Sequence, residues 1–203
     1  MPLITESQFR QMMPHAGARL DAHWPYINPA MEKAAINTPA RISAFLAQLA
    51  HESSEYRYME EIADGSAYEG RTDLGNIYPG DGPKYKGHGP IQITGRENHL
   101  LVGQYLGIDA VNNPLLLTKP EYGTAAACWF WNAKALSPLA DRSWFHLITR
   151  RVNGGYNGWI DRQRYYQRNR NILGLAPYNG PTVELEEIKR FQRDHGLVAD
   201  GVV

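Results

Sequence analysis

At 203 residues the chain is long enough for one sizeable domain with a buried core and a small appendage, and a hydrophobic share of 43% fits a folded protein rather than a disordered one. Its 21 basic residues balance 21 acidic ones, and a formal charge of zero argues against a general nucleic-acid binder. The single cysteine, Cys128, excludes an internal disulfide framework, and no apolar run is long enough to span a bilayer.

Helix signals dominate from the start. TESQ at 5–8 fits a capping box, and NPAMEKAAI at 28–36 offers Asn28 as a cap with Pro29 in the first helical position. TPARISAFLAQLAHE repeats the device with Thr38 and Pro39, and Ile42, Phe45, Leu46 and Leu49 form an apolar stripe along it. From Ala63 to Gly89 the pattern dissolves into Gly, Asp, Pro and Tyr, which predicts a long irregular loop, with any strand short and placed near YKGHGPIQIT. Helical periodicity returns in RENHLLVGQYLG, from Glu121 to Leu136, in SWFHLITRRV and in DRQRYYQRNRNILGL. APYNGP at 176–181 reads as a linker, and the helix after it, with Leu185, Ile188 and Phe191, is too small to bury a core alone. The predicted organisation is a mainly α domain over 1–175 and a linker with a short helical tail over 176–203.

Charge is segregated along this order. Between Glu52 and Asp81 eight acids face only Arg57 and Arg71, whereas between Arg142 and Arg170 seven arginines face Asp161 alone. Either two solvated faces attract each other, or the basic segment lies against an anionic polymer. No His, Cys and acid cluster has ligand spacing, so neither a metal nor a cofactor is implied. The N-terminal MPLITESQFRQMM lacks a basic start followed by an apolar core, which predicts a protein made in the cytoplasm and exported, if at all, by a separate route.

The next position on the apolar stripe is Glu52, and the pair Glu60 and Glu61 follows shortly after. By itself Glu52 has a structural explanation: an acid at a helix end pairs with a neighbour such as Arg57 or caps backbone donors. The chemical explanation is that burial favours the protonated carboxyl of a general acid, while an acid beside an open polar loop stays ionised as a base. Glycoside hydrolysis uses two such carboxylates in unlike environments.

INTPARISAFLAQLAHESSEYRYMEE, followed by GDGPKYKGHGPIQITGRENH, resembles the family-19 glycoside hydrolases, the plant-type chitinases and their phage endolysin relatives. The resemblance continues into VNGGYNGWIDRQRYYQRNRNIL and spans roughly residues 28–174. It implies a lysozyme-like helical domain with a deep cleft and a few short β-strands. Glu52 becomes the general acid and Glu61, nine positions on, the base, with Glu60 as the other register. Thr94 becomes the hydroxyl that holds the attacking water, although Thr94 and Glu97 also fit a capping box. Gln92 and Asn98 match positions that contact sugar amides, and Asn153 and Arg162 match a distal pair lining the same cleft. Tyr78 and Tyr85 either stack on sugar rings or pin the loop. His51 points to a different helix face from Glu52, which favours a structural hydrogen bond. Two departures from the family pattern are the lone cysteine, unlike the plant members, and His88 where an arginine is frequent. IKRFQRDHGLVADGVV resembles the opening of a small peptidoglycan-binding repeat. The implied function is a monomeric phage or prophage endolysin that cuts the glycan strands of peptidoglycan with inversion, made in the host cytoplasm and acting in the periplasm. The alternatives are a chitinase and a catalytically silent sugar-binding protein.

Overall fold

A computed structural model describes residues 2–180 together with Lys189 and Arg193, so the tail helix expected around Leu185 to Phe191 lies outside the described residues. α1 (Glu6–Met12) begins at the predicted capping box: Thr5 accepts from the Gln8 N–H, and the Gln8 side chain returns the bond to the Thr5 N–H. α2 (Arg19–Lys33) starts earlier than expected and carries Pro25 and Pro29 inside it. Asn28 is therefore no cap. Its side chain bridges the backbone of Ile4 through both its oxygen and its nitrogen, which ties the N-terminal segment to α2.

α3 (Pro39–Glu52) is capped by Thr38 as predicted and is buried continuously from Ile42 to Ala50. The remaining α-helices among the described residues are α4 (Asp81–Lys84), α5 (Arg96–Leu106), α6 (Pro120–Ala133), α7 (Ser137–Asp141), α8 (Phe145–Asn153) and α9 (Trp159–Ile172). α3 packs most extensively on α9, and α2 lies against α6. Aromatic side chains fill the space between helices: Phe45 meets Trp131 edge-on at 5.5 Å, and Phe145 stacks on Tyr166 at 4.1 Å. Among the described residues the expected strands reduce to two isolated antiparallel bridges, Glu60 to His88 and His88 to Ile93. The predicted linker begins fastened to the domain, because Arg170 Nε donates to the Ala176 carbonyl and the Tyr178 N–H donates to Gln167.

Two devices position the segment between α3 and α5. The first is a left-handed turn at Ser54, Glu55 and Tyr56, with φ of 48°, 58° and 64°. Three consecutive non-glycine residues in this region are strained, at roughly 1–2 kcal/mol each. Ser53 holds the turn by donating to the Leu49 carbonyl and accepting from the Tyr56 N–H. The buried Glu55 carboxylate accepts from the His15 backbone and ring and faces Arg168. The second device is a pin in the loop. Asp81, buried, accepts from the Ile77 and Tyr78 N–H groups and from both Nε and Nη2 of Arg96. That guanidinium is sandwiched between the Tyr78 and Tyr85 rings, 4.8 Å from each centroid.

The Arg96 guanidinium beside Asp81 holds its carboxyl below the usual carboxylate range. The pair therefore contributes stability at neutral pH that is lost as pH falls below about 4. Asp81→Asn should lower the unfolding free energy at pH 7 by about 2 kcal/mol, and the gap between variant and wild type should close toward pH 3. Denaturant titrations at the two pH values check this.

Candidate active site

A cleft of about 560 Å³ opens beside the end of α3. The end of α3 supplies Glu52; the loop supplies Glu61, Tyr68, Gln92 and Thr94; α5 supplies Asn98; and the segment from α6 to α8 supplies Phe130, Lys134, Arg151 and Asn153. Glu52, Glu61, Gln92, Thr94, Asn98 and Asn153, six of the residues anticipated from sequence, are thus brought together. Tyr85 and Arg162 are not among the lining residues.

Tyr85 is fully buried, its hydroxyl donates to the Val111 carbonyl, and its ring lies against Arg96. It pins the loop and has no surface for a sugar. Arg162 is only 1% exposed and sits behind the cleft, so it is not a substrate contact. Its Nη2 donates to Glu52 Oε1 at 2.5 Å, its Nη1 to Gln48 and its Nε to the Asn157 carbonyl at 3.0 Å. Gln48 in turn donates to Thr149 on α8. The structural explanation for Glu52 holds in part, with Arg162 as the partner instead of Arg57, whose guanidinium lies over the Tyr58 ring. Nor is Glu52 deeply buried: its side chain keeps 18% of its surface and lines the cleft.

Glu61 is held from two sides. Tyr68 donates its hydroxyl to Oε1 at 2.9 Å and the Gly87 N–H donates to Oε2 at 2.8 Å. Glu60 turns away to Lys86 at 2.9 Å, and that hydrogen bond holds its carboxyl below the ordinary range. The structure thus separates the two registers, because the cleft contains Glu61 and not Glu60. Thr94 does not cap α5, whose N-cap is Gly95. Its hydroxyl donates to the Gln92 carbonyl at 3.1 Å, and Gln92 itself has a left-handed φ of 54°. Asn98 Nδ2 reaches back to the Thr94 carbonyl, so three cleft residues are bonded in sequence.

His51 hydrogen-bonds Asp161 at 2.9 Å, the structural role its helix position predicts. His88 is buried and pushed down to about 4 by desolvation. His99 Nδ1 donates to the Gly95 carbonyl, which leaves its Nε2 as the acceptor for His88 Nδ1–H. His88 therefore carries no charge at neutral pH. Among the described residues no group of three or more His, Cys, Asp or Glu could hold a metal ion.

Sequence reasoning missed Tyr68, Lys134 and Arg151. Tyr68 lies in a loop without periodicity, and its place on Glu61 has no local signal. Arg151 was visible only as one of seven arginines. Of those, Arg162 and Arg168 pair with Glu52 and Glu55, so the two charged segments do attract each other in part, while Arg164 pairs with Asp161 within its own segment.

Residues 28–154 match the profile of the glycoside hydrolase 19 family, described as chitinase class I. The chain belongs to this family. An Arabidopsis thaliana endochitinase is 37% identical over 144 residues, 67% of this chain and 49% of that protein. A Haemophilus influenzae glycosyl hydrolase family 19 domain-containing protein is 27% identical over 196 residues, covering 81% of this chain and 94% of its own length. Chitinase C from Streptomyces griseus shares the fold, with a TM-score of 0.73 at 24% identity over 89% of this chain and 96% of that one. The chain spans about half the length of two Arabidopsis thaliana endochitinases it matches, 49% and 56%. In this family-19 chain the match ends at Gly154, so Arg162 and Asn157 lie beyond it while their partners Gln48 and Glu52 lie within it.

Glu52→Gln keeps a hydrogen-bond acceptor for Arg162 and should cost about 1 kcal/mol of stability. Arg162→Gln strips Gln48, Glu52 and Asn157 of a buried donor and should cost roughly 3 kcal/mol or more. Thermal denaturation of the two variants orders them; equal losses would contradict the network.

Proposed function

We propose that this protein is a glycoside hydrolase that cuts the glycan strands of bacterial peptidoglycan, in the manner of a phage endolysin, by direct displacement with water. The observation that carries this reading is one cleft lined by two carboxylates with unlike supports, Glu52 on a guanidinium and Glu61 on a phenol and an amide N–H. Glu52 gives a proton to the leaving glycosidic oxygen. Arg162 holds Oε1, which leaves Oε2 to carry that proton, and the guanidinium then stabilises the carboxylate produced. Glu61 takes a proton from water as the water oxygen bonds to the anomeric carbon on the opposite face. Thr94 orients that water, and Gln92, Asn98 and Asn153 bind the sugar amides. The protein acts as a monomer, made in the host cytoplasm and delivered to the wall by a separate route.

Three features support the peptidoglycan reading: the nine-residue step from Glu52 to Glu61, the lone cysteine, and the likeness of the C-terminal segment to a wall-binding repeat. A chitinase is the second reading, favoured by the relatives named endochitinase and chitinase C. Purified sacculi and colloidal chitin, incubated with equal amounts of protein, separate the two. Clearing of sacculi with new reducing ends by mass spectrometry is the expected result; faster turnover of chitin would favour the chitinase.

Glu52→Gln and Glu61→Gln should each lower turnover by about 100- to 10,000-fold, the range for a positioned acid or base. Glu60→Gln should be mild, since Glu60 faces Lys86, and Thr94→Ala intermediate. Wild-type kcat/KM should be bell-shaped against pH, because one carboxyl must be protonated while the other is ionised. A Glu52→Gln variant with normal turnover would sink the assignment.

A further inference from the structure

The cleft holds two cations that the acid–base chemistry does not use. Lys134, at the C-cap of α6, and Arg151, in the last turn of α8, line it beside Phe130 and Asn153. Among the described residues no carboxylate lies within ion-pair distance of either. Their placement is nonetheless defined. Arg151 Nη1 donates to the carbonyls of Lys134 and Ala135, so the guanidinium is locked to the end of α6 through one nitrogen. Lys134 Nζ lies over the Phe130 ring at 5.6 Å. A basic last turn also complements the helix dipole, but Arg150 serves that purpose from outside the cleft.

We propose that Lys134 and Arg151 form a subsite for a carboxylate on the substrate. The inference rests on the peptidoglycan reading and deepens it. Chitin is uncharged, whereas every second sugar of peptidoglycan bears a lactyl ether whose carboxyl is either free or extended by an acidic peptide. A guanidinium fork beside an ammonium recognises a carboxylate through charge-assisted hydrogen bonds, and an uncharged sugar has no group to match them. Both carboxylate sources share this chemistry.

The test compares kcat/KM on three oligosaccharides of equal length: peptidoglycan fragments with stem peptides, fragments stripped by an amidase so that the lactyl carboxyl is free, and chitin oligomers. Lys134→Gln and Arg151→Gln should each lower the ratio of peptidoglycan to chitin activity by roughly three- to tenfold, through KM more than kcat. High salt should narrow the wild-type ratio toward that of the double variant. A loss confined to the peptide-bearing fragments assigns the carboxylate to the peptide; a loss on the stripped fragments assigns it to the lactyl group. Arg151→Lys, which keeps the charge but not the fork, should recover part of the ratio and controls for damage to the end of α6. Wild-type enzyme that cleaves all three substrates, with variants that leave the ratio unmoved, would overturn the subsite alone. Wild-type enzyme that cleaves chitin oligomers and neither peptidoglycan fragment would overturn the peptidoglycan reading and the subsite with it.

Discussion

The pair between Glu52 and Arg162 joins residues 110 positions apart and determines how the cleft is built. An arginine buried to 1% exposure is tolerable only when its donors are matched, and Glu52, Gln48 and the Asn157 carbonyl match them. Matching them requires the end of α3 to lie against the start of α9. A second polar pair, His51 with Asp161, makes the same junction. Gly158 permits it: at its φ of +72° an added Cβ would fall 2.1 Å from the His51 ring. The acid at the end of the apolar stripe is thus oriented by a helix that follows nearly the whole domain in sequence.

Glu61 depends on a different constraint. After Glu52 the chain must reverse within a few residues to bring a second carboxylate to the same cleft, and the strained turn at Ser54 to Tyr56 does this. Buried bonds to Ser53 and Glu55 offset the strain. The loop beyond is irregular yet fixed, because Asp81, Arg96 and two tyrosine rings form one closed unit within it. Rigidity in a segment without regular structure is what a positioned base needs, since misplacement by about 1 Å can cost a hundredfold in rate.

The legible and illegible parts divide along physical lines. Helices with strong period and caps, such as α1 and α3, read directly from local sequence, as did the interruption of the stripe by Glu52. Asn28 and Thr94 fit local capping rules and yet do not cap, because tertiary partners took their side chains: the Ile4 backbone for one, the Gln92 carbonyl for the other. Motif resemblance placed Arg162 correctly near the site but on the wrong side of Glu52, since spacing carries no information on whether a side chain faces solvent or core. For the same reason spacing could not choose between a stacking and a pinning role for Tyr85, which its burial assigns to pinning. Lys134 had no signal and Arg151 only its place in the basic segment, because the end of one helix meets the last turn of another only in the folded chain.

The roles proposed for Glu52 and Glu61 require that the two act together on one water without a covalent intermediate. Proton NMR of the products in the first minutes of hydrolysis, before the anomers equilibrate, tests it most directly. The new reducing end should appear first in the anomeric configuration opposite to that of the bond cut. Initial release of the same configuration would mean that a carboxylate attacks the sugar itself, and would contradict the roles assigned to both residues.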